Sequence, residues 1–290
     1  MELKRRCYAR ETLPMTCFKP LFLLWLSVIL FVIAPNLAHA QDTIYYAKKR
    51  KAGFNQAEYE QKSYYLSLLK MVLEKTRAEF GDYSLAPADT AMINRRALTN
   101  LALDKGISIV WSEPPAKLDP ELEVIDIPLI MKHENYLALV IREEDKAKFS
   151  AIDSSHQLKK LTAGRIAFAN DIERYKRNGY SYTTGAATYN NLFVMLQHKR
   201  IDYFPIILYG AYLNVHKYQG LIVEDTLALN YPKGIYYIVR KDNVRLKQRL
   251  IKGFKLAQQD GSFAKHFASH SMMKPYQHFD PSSRRVFTLQ

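Results

Sequence analysis

Five aromatic residues, Tyr45, Tyr46, Trp111, Tyr189 and Tyr203, fall at the ends of predicted strands or on the first turn of a predicted helix. Rings at such places can stack on flat ligands or sugars. Aromatic residues also favour strands for packing, so a core role is the competing reading. Asn170-Asp171 opens a predicted helix whose first N–H groups can meet an anion or be closed by a simple cap. Arg174 and Tyr175 follow one turn later. This is the chemistry of binding. Reaction chemistry has no positive support: the chain holds no G-x-S-x-G, no P-loop and no G-x-G-x-x-G. The eight histidines do not cluster at metal spacing. His266 and His270 stand four apart, but Phe267, Ala268 and Ser269 separate them without the glutamate of H-E-x-x-H. No catalytic residue, metal or cofactor is expected.

Two similar units would position these groups. Thr188–Ile207 reads as a helix, a short basic turn and a strand. Leu192, Met195 and Leu196 share one helical face, and Ile201–Ile207 runs almost continuously apolar, as in a strand covered on both faces. Ala97–Trp111 repeats the plan, with Leu98, Leu101 and Ala102 on one face and Ile107–Trp111 as the strand. The turns Lys105-Gly106-Ile107 and Lys199-Arg200-Ile201 align as basic residue, spacer, isoleucine. This suggests two α/β lobes; chance recurrence of a common unit is the alternative.

The chain has 290 residues and 48% hydrophobic content, which fits a globular protein of one large or two smaller domains. Its first forty residues stand apart. Lys4, Arg5, Arg6 and Arg10 precede the uncharged run Leu21–Ala34, and Ala38-His39-Ala40 has the small-x-small form of a cleavage site. The run is shorter than the roughly 20 residues of a membrane span. A secretory signal peptide over residues 1–40, cleaved before Gln41, is therefore expected. Cys7 and Cys17 both lie in that segment, so the mature chain is expected to hold neither thiol chemistry nor disulfides. Removing the leader leaves 37 basic and 26 acidic residues, a net charge of +11. That charge favours anionic partners, with a plain solvated basic surface as the alternative. Secretion argues against nucleic acid.

Along the mature chain, Thr43–Ala47 reads as a strand and Lys48–Lys51 as a basic loop. Ala57–Phe80 is the longest helix, with Tyr65, Leu66, Leu69, Val72 and Leu73 as its stripe. Leu122–Ile130 and Tyr136–Arg142 read as strands, with the crossing between lobes near them. Arg165–Ala169, Leu221–Leu229 and Ile235–Arg240 are further strands. Asn170-Asp171 is expected to cap the helix Ile172–Arg177. Val244–Ala268 is a long amphipathic helix, and the polar tail Ser269–Gln290 is expected to wrap loosely or fray.

The order of these pieces resembles the extracellular solute-binding proteins of family 3. The likeness lies in Leu158–Asn170 (LKKLTAGRIAFAN), Tyr189–Phe204 (YNNLFVMLQHKRIDYF) and the stretch Gly234–Ser262, which runs from an aromatic strand through K-D-N and a helix to D-G-S. It covers most of Thr43–His270. The resemblance implies an α/β, two-lobed type 2 periplasmic-binding-protein fold, one lobe discontinuous, joined by crossing strands, with a ligand clamped between. The lobes are expected at 41–132 with 235–290, and at 133–234.

Departures accompany the resemblance. Amino-acid-binding members carry a T-x-x-R arginine after the third strand. The nearest position here is Lys117, without the threonine; it can hold an anion as a point charge but lacks the arginine fork. Their ammonium-binding aspartate, beyond the Asp202 position, is replaced by Pro205-Ile206-Ile207. The expected function is a periplasmic, monomeric solute-binding protein that clamps a small solute, with anions among the candidates, for an inner-membrane transporter or sensor. Its expected ligand-binding residues are Tyr46, Trp111, Lys117, Asn170, Arg174, Tyr189 and Tyr203. The alternative is an interaction or sensory module that has lost its ligand. An enzyme would need an acid in the cleft, and Glu113 is the one acid expected there.

Overall fold

A computed structural model describes residues 42–48, 63–133, 135–167, 169, 171–231 and 234–290. The expected leader with both cysteines, the cleavage position Gln41, most of the basic loop Lys48–Lys51, the first residues of the predicted helix at Ala57 and the candidate Asn170 lie outside the described residues.

Strand β1 (Asp42–Tyr46) pairs in parallel with β2 (Tyr83–Pro87), Ile44 opposite Leu85. Between them runs α1 (Tyr64–Glu74), started by Ser63, whose hydroxyl accepts from the Leu66 N–H. Leu66, Leu68, Leu69, Val72 and Leu73 of α1 are all at most 1% exposed. Burial of each such side chain stabilises the fold by about 1.5–3 kcal/mol. The predicted helix ran unbroken to Phe80, but α1 stops at Glu74 and restarts as α2 (Arg77–Phe80). The buried Thr76 explains the break: its hydroxyl donates back to the Leu73 carbonyl at 2.9 Å, competing with the helical ladder. Helix α3 (Asn94–Ala102) then leads to β3 (Val110–Ser112) and β4 (Leu122–Val124). The predicted strand Leu122–Ile130 is thus only three residues long, because the chain turns tightly after it, with Ile127 N–H donating to Ile125 O at 2.7 Å. The rest is a crossing segment tied to the returning chain: Ile125 N–H donates to Tyr237 O and Leu129 N–H to Ile235 O, both at 2.9 Å.

The second group of strands is built on β5 (Tyr136–Arg142), buried along all but its first residue. After it come α4 (Lys146–Ser150), α5 (Ser155–Lys159), β6 (Ala163–Ile166), α6 (Ile172–Arg177), β7 (Tyr182–Ala186), α7 (Tyr189–Gln197), β8 (Phe204–Ile207), α8 (Leu208–Tyr212), β9 (Leu221–Val223) and β10 (Leu227–Asn230). β8, β9 and β10 all pair antiparallel with β5. β6 and β7 form a parallel pair, and Ala163 bridges to Tyr203 beside β8. Helix α7 opens with a capping box: Thr188 Oγ1 accepts from Asn191 N–H, and the Asn191 side chain accepts from Thr188 N–H.

The two helix-to-strand turns are the same motif, though one residue out of the register read from sequence. Lys105 N–H reaches back to Asn100 O, and Arg200 N–H to Met195 O, each spanning five residues. Asp104 and Lys199, just before them, have φ of 53° and 57°. Both helices therefore end in a left-handed Schellman cap, with Lys105 matching Arg200 rather than Lys199.

The chain returns through β11 (Tyr236–Arg240), which inserts antiparallel between β3 and β4. Helices α9 (Val244–Gln259) and α10 (Ser262–Ser269) follow. α9 packs directly on α1: a Cβ on Gly253 would lie 2.2 Å from the Val72 carbonyl oxygen, so only glycine allows this approach. The tail does not fray as expected. It forms α11 (Lys274–His278), with Tyr276 fully buried, and then β12 (Arg285–Thr288), which pairs in parallel with β10 in the second group of strands. Its apolar residues Met273, Tyr276, Phe279 and Leu289, spread among polar neighbours, are all at most 5% exposed and supply the burial that orders it. One buried apolar cluster accordingly runs through both groups, from Ile44, Leu69 and Phe254 to Ala138, Leu192 and Leu208.

Candidate functional site

The segment after β3 and the helix α6 belong to different groups of strands, and one ion pair joins them. Arg174 Nη2 donates to Glu113 Oε1 at 2.7 Å. The Arg174 side chain is 9% exposed and that of Glu113 27%. The Arg174 guanidinium lies over the ring of Tyr231, 4.4 Å from its centroid. Tyr231 immediately follows β10 and leads into the second crossing. Stacking holds the guanidinium plane, and the ion pair fixes its rotation about the stack. Two further Arg174 nitrogens, Nε and Nη1, are buried without a hydrogen-bond partner among the described residues.

A second pair is linked to this one. Arg165 in β6 pairs with Asp171, and its Nη1 donates to Pro205 O at 2.8 Å. Both residues are under 8% exposed. Burial alone would pull the Arg165 pKa down; the Asp171 carboxylate, with Tyr175 and Tyr231 nearby, more than reverses this and raises it well above its ordinary value. The sequence predicted Asp171 as a capping residue. It does occupy the position before α6, but its side chain makes no cap hydrogen bond and turns to Arg165 instead. A buried guanidinium needs a counter-charge more than a short, six-residue helix needs its cap.

The two ion pairs are linked through phenols. Arg165 sits 5.1 Å from the Tyr175 ring centroid, and the Tyr231 hydroxyl donates to that of Tyr175 at 2.7 Å. Burial raises the pKa of both Tyr175 and Tyr231, so both stay neutral and able to donate. The cluster is balanced, two arginines against two carboxylates. Its unfilled hydrogen-bonding capacity is not balanced: among the described residues, Arg174 Nε, Arg174 Nη1 and Arg165 Nε are donors without partners, against one acceptor, Asp171 Oδ1. Such a group is more readily completed by a ligand that brings acceptor oxygens.

Of the expected site residues, Arg174 stands in this cluster, with Glu113 as its partner. Tyr46 and Trp111 are 2% and 5% exposed and lie 5.9 Å apart ring to ring, packed with Tyr65 and Tyr237 in the first group's core. Tyr203 is fully buried against Phe149. Tyr189, at the start of α7, is partly exposed as a residue, but its phenol lies near Arg165 and Asp171, and burial raises its pKa; Lys117 is exposed beyond the Glu113 loop. Arg165 and Tyr231 were not singled out from sequence. A charge inside the strand Ala163–Ile166 with an acid six residues on was the available signal for Arg165. Tyr231 had none, because its role as a platform exists only once β10 stands beside α6.

No protein-family model matches the sequence, and no curated protein matches it. Solved structures do. An ancestral arginine-binding protein bound to arginine is similar with a TM-score of 0.58 at 16% identity, covering 80% of this chain and 99% of that one. The periplasmic VFT2 domain of Bordetella pertussis BvgS is similar with a TM-score of 0.57 at 15% identity, covering 80% and 94%. A putative L-cystine ABC transporter protein from Listeria monocytogenes gives 0.55 at 15% identity, covering 81% and 98%. At such identities the likeness is one of fold. The chain has the two-lobed α/β fold of type 2 periplasmic binding proteins.

Proposed function

We propose that this protein is a periplasmic solute-binding protein, secreted by a cleavable leader over residues 1–40, that closes two lobes over a small solute bearing an anionic or other acceptor group. The lobes are residues 41–132 with the returning chain from 235, and residues 133–234 with β12 added. The observation that carries the reading is Arg174: a buried guanidinium between the lobes, held by Glu113 and Tyr231, with two N–H groups that no described residue fills. Both unfilled groups belong to the second lobe, so a ligand on them favours the closed arrangement by also touching the first lobe, where Lys117 beyond the Glu113 loop is the exposed cation. The protein acts as a monomer that presents its closed form to an inner-membrane transporter or sensor; the similar Listeria monocytogenes protein, a putative L-cystine ABC transporter, supports the transporter reading. Tyr189 at the start of α7 and Lys117 beyond the Glu113 loop remain candidates for ligand contact.

The test is a thermal-shift and calorimetric screen with small carboxylates, phosphate, amino acids and sugars. A ligand at a hundred times its Kd adds about 2.7 kcal/mol, which raises the melting temperature by roughly 5–10 °C in a chain of this size. Arg174→Ala is expected to abolish the shift. A second reading has its own observation: the guanidinium already has a counter-ion in Glu113, so the closed form needs no solute to neutralise it. An absence of any ligand shift across the screen, with recovery of a membrane protein by the unliganded chain, would favour an interaction or sensory module.

A further inference from the structure

The two crossings, from β4 to β5 and from β10 to β11, are joined by a third. After α10 the chain leaves the first group of strands, and Met273 and Tyr276, both fully buried, carry α11 onto α8 of the second. Phe279 packs its ring 5.3 Å from Tyr136 and 5.6 Å from His133, at the point where the first crossing enters β5. Arg284 lies over Phe279, 4.9 Å from the centroid, and its Nη1 donates to Glu224 O at 2.8 Å. β12 then runs along β10, with Arg285 N–H on Thr226 O at 2.8 Å and Leu289 N–H on Asn230 O at 3.0 Å. Leu289 is fully buried. The main-chain oxygen of Gln290 accepts from Asn178 Nδ2 at 2.9 Å and from Arg177 Nη2 at 3.3 Å.

These anchors converge on the candidate site. β10 is the strand whose next residue is Tyr231, the platform for Arg174. Arg177 and Asn178 end the helix that carries Arg174. The segment thus braces the guanidinium from two sides while its other end is rooted in the first group through α10, where Phe267 packs on Tyr64 and the Tyr64 hydroxyl donates to Leu129 O at 2.7 Å in the first crossing. We infer that residues 271–290 form a strap, a third tether across the hinge that limits the opening of the lobes and holds the Arg174 platform in place without a ligand. The inference rests on the two-lobed clamp reading and goes beyond it, because a clamp with two crossings alone would open freely.

Geometry decides how the strap acts. A hinge opening rotates one group of strands against the other about the crossings. Two crossings that lie side by side, joined by the Leu129–Ile235 bond, can twist together. A third connection packed against Tyr136 and hydrogen-bonded along β10 must stretch or unpack when they do. It is short of slack: only residues 279–284 separate the buried α11 from β12.

Amide hydrogen exchange of the full chain tests this with two variants. Phe287→Pro removes a main-chain donor from the middle of β12, and Arg284→Ala removes the anchor at Glu224 O while leaving the strand intact. Both are expected to speed exchange of the Ile125 and Leu129 amides, which bond across the crossings, at least about tenfold. The amides that join β5 to β8 are expected to exchange as before. Unchanged exchange at Ile125 and Leu129 in both variants would overturn the strap, as would equal acceleration in β5 and β8, which would make the segment an ordinary part of the second lobe's core. The experiment contains no solute, so its failure leaves the ligand-dependent thermal shift standing, and the absence of that shift leaves the exchange result standing.

Discussion

Glu113 and Arg174 are 61 residues apart in sequence and 2.7 Å apart in space, each supplied by a different group of strands. A pair placed this way reports on closure. In a double-mutant cycle of Glu113→Gln and Arg174→Gln, followed by urea denaturation, the coupling is expected to be about 1–3 kcal/mol, reduced from a fully buried value by the partial exposure of Glu113. A coupling below about 0.5 kcal/mol would mean the pair does not hold the lobes together.

Asp171 gives a cleaner stability test, because Arg165 is buried and, among the described residues, has one carboxylate paired with it. Asp171→Asn leaves a charged guanidinium in the interior without its counter-ion. The expected loss is about 3–5 kcal/mol in the unfolding free energy, measured from the urea midpoint. Were the aspartate only a helix cap, the loss would be nearer 1 kcal/mol, and asparagine, itself a good cap, would cost less still.

Gly253→Ala puts a methyl group against main chain that cannot move aside, since the Val72 carbonyl oxygen would lie 2.2 Å from it. Helix propensity favours alanine by about 1 kcal/mol. Overpacking outweighs it, and a net loss of about 1–3 kcal/mol is expected, read as a lower thermal midpoint. A gain in stability would show that α9 can shift away from α1.

Protonation gives a fourth outcome. His266 stacks on Tyr64 at 5.1 Å and lies 5.6 Å from His270. Burial lowers the pKa of both, and His266 lowers that of His270 further. The unfolded chain therefore binds protons more readily than the folded one as pH falls through about 6.5. Stability contributed by the neutral rings is present above that pH and declines below it. Urea midpoints measured from pH 8 to pH 5 are expected to fall more steeply for the parent chain than for the variant carrying His266→Gln and His270→Gln. Parallel curves would remove the histidines as the cause.

Local pattern carried much of the architecture. The stripe of α1 is buried as its spacing predicted, and the repeated helix-to-strand units end in matching caps. What local pattern could not supply was long-range pairing. The tail looked loose because its apolar residues, Met273, Tyr276, Phe279 and Leu289, are spread among polar ones and find their partners on distant elements. The aromatic candidates show the same limit: ring type and strand position are common to ligand contacts and core packing, and Tyr46, Trp111 and Tyr203 are buried. Arg174 was legible by its place after a helix start. Its neighbours Arg165 and Tyr231 were not, since they meet it only through tertiary folding.

The apolar cluster that continues from Ile44 through Phe279 to Leu208 has a thermodynamic consequence. Neither half can shed its contacts without wetting side chains of the other. Heating is expected to produce a single calorimetric endotherm whose measured enthalpy equals the van't Hoff value, where halves joined by thin linkers alone would melt in two steps.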